Sequence, residues 1–460
     1  MAADATMEAT QRLAGFAANL RYDDIPPRVR EHCKNLLLDA LACAVAGRLG
    51  EETGQVAALA GSLAQSREAS VIGGEPLSLA GATLLNAYLV TAVTMCDVHR
   101  PTLTHVTPEV VPPALAIAER DGLSGRALLT ALAAGCEVTT RVGLGLDYPK
   151  FRARGWHGPG VIGPFGAAAA VGSLLGFDAD TMACAFGLAG SQAAGTFAAW
   201  GTPTVKFHQC RGALSGLLAA LLAQQQFVAT RAFLTAEDGG LYTTYAEGGK
   251  AELATADLGQ RWELEQIALR LWPSATLIQG MVTALFDILG RQPIDFDSVR
   301  KVRIALGEGA FKMHGGFGTY KAKFEALLSA HYTAAAILHD KALTLAQFEP
   351  NRYGDQKLRR FAAERVEVRA DASVSGSQAE VEVVTGSATY SARCNHPLGS
   401  YENPLSRAQI ENKLAAYAKG VLSDGAVADV IGAVSGLEQV ASVRTLMGSL
   451  CAAPRAIAAE

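Results

Sequence analysis

Residues 155–175 read GWHGPGVIGPFGAAAAVGSLL. A glycine/proline turn presents His157, and the run behind it is apolar or small on every side of a helical wheel. Val161 to Leu175 is therefore read as a helix buried all round, and the glycines between Gly160 and Gly172 let neighbouring backbones come close. The same texture extends in both directions. Toward the N-terminus lie Gly125 to Val142, Pro112 to Arg120, Leu79 to Thr94 and Val29 to Ala46, the last entered through Pro26 and Pro27 and closed by Gly47. Toward the C-terminus follow Thr181 to Ala194 and Gly212 to Gln225.

The whole chain has 460 residues, 50% hydrophobic and 18% charged, which is far too apolar for a disordered protein. A formal net charge of −4 lacks the basic excess that nucleic acid or an anionic membrane surface requires, so neither is expected as a partner. No run of about 18 uncharged apolar residues is present, because Glu137, Arg141, Lys206 and Arg211 interrupt the helical segments. The first 20 residues lack the basic start and apolar run of a signal peptide. Eight scattered cysteines without a CxxC pair are read as reduced, mostly buried side chains of a cytoplasmic protein. A mean hydropathy of +0.18 points to closely packed helices and a large interface between copies.

After Pro273 the pattern changes. Val299 to Leu306, Arg365 to Arg369 and Ala379 to Val384 alternate like strands, Ala388 to Arg393 is a further candidate, and Glu325 to Leu338 is helical. From Ser406 the chain is helical again, with Ile410 to Ala418 and Gly425 to Val434. The expected fold is mainly α: a large all-helical domain built from both chain ends, 1–273 and 396–460, with a smaller α+β lid domain over 274–395.

The sequence carries no GxGxxG after a strand, no Walker loop, no HExxH and no GxSxG elbow. Asp97, His99 and His105 fit neither i, i+4 nor paired metal-ligand spacing, so no metal is expected. Four polar interruptions of apolar surroundings remain: Met95 to His105 (MCDVHRPTLTH), Gly155 to Gly160 around His157, Gly201 to Arg211 (GTPTVKFHQCR) with Lys206 and His208, and Leu269 to Ser274 (LRLWPS) with Arg270. Polar groups at helix starts and domain junctions are where small anions bind. Each residue alone also has an ordinary structural reading: His99 as a loop histidine, His208 as a cap, Arg270 as a paired charge, Trp156 as packing and Asp97 as a loop anchor.

Taken together these segments resemble the MmgE/PrpD family, which includes 2-methylcitrate dehydratase, cis-aconitate decarboxylase and iminodisuccinate epimerase. The resemblance runs through Leu38 to Gly47 (LDALACAVAG), Asn86, His105 followed by Val110 to Pro112, Gly135 to Val138 (GCEV), Gly155 to His157 with Gly163 to Gly166 (GPFG), and Gly187 to Gln192 (GLAGSQ). It continues through His208 to Arg211, Trp272 to Ser274, Glu325 with Ala326 leading to Tyr332, and Glu402 to Ser406 (ENPLS). It implies the two-domain helical architecture, a homodimer, no metal or organic cofactor, and a site between the domains for a small di- or tricarboxylic acid. By the same resemblance His105, His157 and Lys206 are the candidate catalytic residues. Asp97, His99, His208, Arg211, Arg270, Gln279 and His314 are the candidate substrate-binding residues. The chain departs from the family pattern at Thr94 to Asp97 (TMCD in place of Asp-x-Asp-Asp), at Val106 and Gly158 where proline is usual, at Gln279 in place of a histidine, and at Lys206, which stands one residue closer to His208.

Such chemistry makes or quenches a carbanion beside a carboxylate. It needs a base within about 3 Å of the proton and a cation for the charge. Imidazole serves as acid or base near neutral pH, and Lys206 and Arg270 are the expected cations. A lyase that dehydrates by abstracting a Cα proton is the leading expectation. Epimerisation or isomerisation comes second and decarboxylation third, with a non-catalytic carboxylate-binding protein as the alternative from another class.

Overall fold

The computed structural model describes residues 8–316 and 318–451. The chain divides into two compact units, one from the described parts of Met1–Ala268 and Ser406–Glu460, the other from Leu269–Leu405.

The first unit is helical. Its N-terminal part runs through α1 (Ala9–Asn19), α2 (Pro27–Gly47), α3 (Thr53–Ser62), α4 (Leu79–Thr91), α5 (Thr107–Arg120), α6 (Gly125–Gly145), α7 (Tyr148–Ala153), α8 (Gly158–Leu174), α9 (Ala179–Gly190), α10 (Thr204–Gln224), α11 (Leu241–Ala246) and α12 (Ala251–Thr255). A short antiparallel pair, β1 (Val98–His99) with β2 (Ile267–Ala268), ties down the polar loop after α4. In the second unit follow α13 (Gln279–Arg291), β3 (Val299–Leu306), α14 (Glu308–His314), α15 (Lys323–Leu327), α16 (Ala330–Asp340), α17 (Pro350–Tyr353), α18 (Gln356–Arg365), β4 (Val366–Ala370), β5 (Ala379–Thr385) and β6 (Thr389–Cys394). The chain then returns to the first unit with α19 (Arg407–Ala418), α20 (Asp424–Ser435) and α21 (Val443–Leu450).

The mainly α fold with a small α+β region matches the expectation. Strand β3 has the expected bounds, and the alternation in β5 buries Ala379, Val381, Val383 and Thr385. The sheet order is β4-β3-β5-β6, with β3 parallel to β4 and the other pairs antiparallel. Helix α13 packs on β5 and β6, and α16 packs on α13, α18 and β4. The single helix expected over Glu325 to Leu338 is two, because Ser329 leaves helical geometry and its Oγ caps α16 by accepting from the Tyr332 N–H.

Two helices of the first unit start earlier than expected. Helix α5 begins at Thr107 rather than Pro112, and α10 begins at Thr204 rather than Gly212. Both added stretches are polar, so periodicity reads them as loop. Helix α6 is long and apolar enough to cross a membrane by length and composition, yet 83% of its 18-residue window is buried inside the protein. Its Glu137 and Arg141 form a fully buried ion pair, and Glu137 also accepts the Glu263 and Leu264 N–H groups. Buried charges with every hydrogen bond met mark a core helix.

Helix α8 is the hub. It packs against α5, α6, α9 and α10 with glycine or alanine at the crossings. At Gly166 a Cβ would collide with Thr139 Oγ1 and lie 2.6 Å from the Gly135 carbonyl oxygen on α6. Close-packed interiors do not absorb an extra methyl at such a distance. Gly166→Ala is expected to destabilise the protein by about 1–3 kcal/mol, read as a lower melting temperature; unchanged melting would contradict this packing.

Candidate functional site

The polar loop between α4 and α5 is fixed at both ends. Thr94 takes a left-handed φ of 57°, which ends the run of α4. The Met95 carbonyl accepts from Lys413 Nζ on α19 at 3.0 Å and from Cys43 Sγ on α2 at 3.3 Å, while Lys413 pairs with the buried Asp39 at 2.7 Å. Asp97 then turns its carboxylate inward. It accepts the Val106 N–H at 2.9 Å, the Thr107 N–H at 3.1 Å and the Thr107 hydroxyl, and so caps α5 from outside the helix. Burial pushes its carboxyl up, against those donors and the nearby His105. The Asp97 carbonyl accepts from His105 Nδ1 at 2.6 Å, with Cys96 Sγ 3.5 Å from the same nitrogen. To donate to a carbonyl, Nδ1 must carry a proton.

His157 is the residue before α8. Its backbone N–H donates to the Gly195 carbonyl at 3.0 Å, and Pro159 opens the helix. Its ring Nδ1 lies 3.0 Å from His208 Nδ1 on α10, so one proton is shared between the two rings. His157 Nε2 has no partner among the described residues. Glycines make the approach possible: a Cβ at Gly160 would lie on the Ala194 carbonyl, and one at Gly195 would lie 3.1 Å from His208 Nδ1. Pro164 has no N–H to give the Gly160 carbonyl four residues back. Arg211 Nη2 (2.8 Å) and the Ala194 N–H (3.1 Å) take that acceptor.

Thr104, next to His105 in sequence, approaches the residue after His157: a Cβ on Gly158 would lie 3.0 Å from Thr104 Oγ1. The structure thus brings the His157 and His208 rings together, with the segment that carries His105 close by. Burial, then His208, His105 and Arg152, hold the His157 ring at about 3, while burial and then Arg211 lower His208. At pH 7 His157 and His208 are neutral.

The other candidates are placed elsewhere. His99 is fully buried with both nitrogens used, Nδ1 by the Thr102 hydroxyl at 2.8 Å and Nε2 by Glu263 at 3.1 Å. It fixes the loop instead of facing a ligand. Asp97 is likewise a helix cap. Arg211 donates to the carbonyls of Gln192, Gly160 and Ala194 and to Ser215 Oγ, a clasp between backbone segments in place of the expected carboxylate contact. Lys206 is two residues before His208 on α10, and side chains at that spacing point about 200° apart. Its ammonium sits 3.3 Å from Glu52, which also accepts the Tyr88 hydroxyl at 2.6 Å. Lys206 is thus salt-bridged to Glu52, on a different side of α10 from His208.

In the second unit Arg270 and Gln279 meet at the Trp272–Ser274 turn. Arg270 Nη1 donates to the Ser274 carbonyl at 3.0 Å, and Gln279 Nε2 donates to Ser274 Oγ at 2.7 Å. His314 is buried at the end of α14, and its Nδ1 lies 2.9 Å from the Leu328 carbonyl. Among the described residues no three His, Cys, Asp or Glu side chains are grouped to hold a metal ion.

Two family descriptions match the sequence, the MmgE/PrpD N-terminal domain over residues 11–254 and the MmgE/PrpD C-terminal domain over 272–439. The chain belongs to the MmgE/PrpD family. Similar proteins include a cis-aconitate decarboxylase-like protein, oryM, of Aspergillus oryzae, 30% identical with 74% of this chain and 76% of that protein covered. The cis-aconitate decarboxylase of Aspergillus terreus is 27% identical with 95% of both chains covered, and that of Homo sapiens is 25% identical with 94% and 92% covered. These MmgE/PrpD relatives are lyases of a small carboxylic acid by name.

Sequence reasoning missed Arg152, on α7. Its guanidinium lies 3.4 Å over the Phe197 ring, which meets His157 edge-on at 5.8 Å and stacks on Trp200 at 4.9 Å. No carboxylate pairs with Arg152 among the described residues. It sits five residues before His157 beyond a turn, and no motif marks it.

The neutral histidines carry a pH signature. His314 is held at about 4 by burial, against its ordinary 6.5. A depressed histidine contributes stability that is whole above pH 6.5 and is lost as pH falls through the folded value. Replacing it by an uncharged residue removes that loss. Between pH 7 and 4.5, His314→Gln is expected to gain about 2 kcal/mol on the wild type in urea unfolding, whatever its offset at pH 7. A constant difference would mean that the ring is charged or exposed.

Proposed function

We propose that this protein is a lyase of a small di- or tricarboxylic acid. The reading assigns His105 and His157 as the groups that move a proton at the carbon beside a carboxylate, and Arg152 as the cation that receives one carboxylate. The observation that carries it is the neutral His157–His208 pair sharing one proton, with the Arg152 guanidinium, which has no carboxylate partner among the described residues, over the Phe197 ring that meets His157. Catalytic need explains such an arrangement better than packing does, because the buried His157 leaves Nε2 without a partner among the described residues and Arg152 forgoes an ion pair there.

In a decarboxylation the C–C bond to the departing carboxylate breaks and its electron pair stays on carbon. Carbon dioxide leaves, and an imidazolium N–H protonates the carbanion. The ring must therefore be charged when substrate is bound. A polycarboxylate supplies that condition, since its negative charges raise the basicity of the depressed His157. His208 then serves as the partner that passes the Nδ1 proton and holds the ring in plane. The same set would run dehydration or epimerisation. The names of the relatives move decarboxylation of a cis-aconitate-like acid ahead of both, while the departures at Cys96, Lys206 and Gln279 leave substrate choice to this chain's own residues. The reading includes a homodimer, supported by the exposed Leu218, Leu222, Phe227 and Val228.

The test is proton NMR of the purified protein with cis-aconitate, 2-methylcitrate and related 2-hydroxy and unsaturated acids. Turnover of one of them is expected, with His105→Ala and His157→Ala lowering kcat by roughly two to four orders of magnitude at unchanged melting. Arg152→Met should raise KM about tenfold or more with a smaller change in kcat, as loss of a contact present in ground and transition states does. Full activity in both histidine variants would reject this mechanism.

A further inference from the structure

Helix α5 carries a carboxyl group that none of the chemistry above uses. Glu109 is the third residue of α5 and is fully buried, and neither carboxyl oxygen has a hydrogen-bond partner among the described residues. Its stem fills the space that Gly163 on α8 leaves open, where a Cβ would collide with Glu109 Cγ. Gly212 on α10, one turn from His208, borders the same space, with a Cβ there 3.4 Å from Glu109 Cγ. Asp97 and Cys96 of the polar loop act on Glu109, which in turn acts on Cys136 of α6 and Cys210 of α10, and α8 contributes no titratable group. None of them is a cation.

We infer that Glu109, packed against Gly163 and Gly212, is held as a neutral carboxylic acid, and that of the two buried carboxyls Asp97 and Glu109 it is Asp97, with its three donors, that carries the charge. Two carboxyl groups in one dry compartment do not both ionise, and hydrogen-bond donors decide which one does. Asp97 receives two backbone N–H groups and a hydroxyl, while the Glu109 carboxyl has at most its own backbone N–H nearby and no other donor among the described residues. Burial, reinforced by Asp97 and Cys96, also pushes the Glu109 carboxyl well above its usual range. A glutamate at this helix position commonly reaches back to cap its own helix. Here Asp97 already occupies the N–H groups, so Glu109 turns into the interior.

Glu109 is therefore a positioning residue. Its proton keeps a second negative charge away from Asp97, whose carboxylate holds the start of α5 and whose carbonyl holds His105 Nδ1. When Glu109 ionises at alkaline pH, Asp97 and the loop lose that arrangement. The kinetic consequence rests on His105 as a site histidine, whereas the protonation state itself does not.

The test uses the full chain and two neutral variants, Glu109→Gln and the apolar Glu109→Met. Infrared spectra at pH 7 should show a protonated-carboxyl C=O stretch in the wild type that is missing from both. A buried acid kept protonated contributes stability that fades as pH rises from its unfolded value toward its folded one. Both variants should therefore gain in melting temperature on the wild type between pH 6 and 8. With cis-aconitate, or whichever acid of the panel is turned over, the alkaline limb of kcat/KM should move up by about one pH unit or more in Glu109→Gln. A wild-type spectrum at pH 7 without that band overturns the inference, as does a melting difference that does not change with pH. Loss of the band and the melting trend with an unmoved alkaline limb would retain the neutral acid and remove its link to His105. If no acid is turned over, the infrared and melting arms still decide the protonation state.

Discussion

The site depends on how closely α8 and α10 cross. The 3.0 Å contact between His157 and His208 exists only because Gly160 and Gly195 offer no side chain where their backbones meet Ala194 and His208. Pro164 frees the Gly160 carbonyl, and Arg211 binds that oxygen together with the Ala194 carbonyl, locking the start of α8 to the 192–195 segment and to α10. A proline, an arginine and two glycines thus fix one ring pair. A single methyl group at the crossing would separate the rings by more than a hydrogen bond tolerates.

The electrostatics follow from this packing. The charged groups nearest the histidines are held by backbone: Asp97 by the start of α5 and Arg211 by carbonyls. Glu137–Arg141 and Asp39–Lys413 are buried ion pairs with partners on several elements. Among these groups His157 is buried, and there a histidine prefers to be uncharged. An anionic ligand entering such a place changes proton affinities more than it would in water, because little solvent screens it. Arg152, resting on Phe197, has no carboxylate partner among the described residues.

Much of this was legible in the sequence. The buried helix after His157 and the alternating strands β3 and β5 follow from periodicity, and the family motifs identify His105, His157 and His208 as companions. Other features were hidden for physical reasons. The first two turns of α10 are polar, so Lys206 to Arg211 read as a loop in which Lys206 and His208 could face one site. As a helix they cannot, and Lys206 goes to Glu52. The start of α5 was obscured because its cap, Asp97, lies ten residues before Thr107 and no local capping pattern links them. His99 and Arg211 have the composition of ligand-binding residues, and only the tertiary structure shows that backbone, hydroxyl and Glu263 partners already use them. Arg152 belongs to no pattern at all; its proximity to His157 is created by the turn at Gly155.

The central claim is that the His157–His208 pair is neutral and shares one proton. Nitrogen-15 NMR of histidine-labelled protein at neutral pH tests it without any substrate. The account predicts His105 with its proton on Nδ1, and His157 and His208 as opposite tautomers, one protonated on Nδ1 and the other on Nε2. A charged ring at His157, or both rings of the pair protonated only on Nε2, would contradict it.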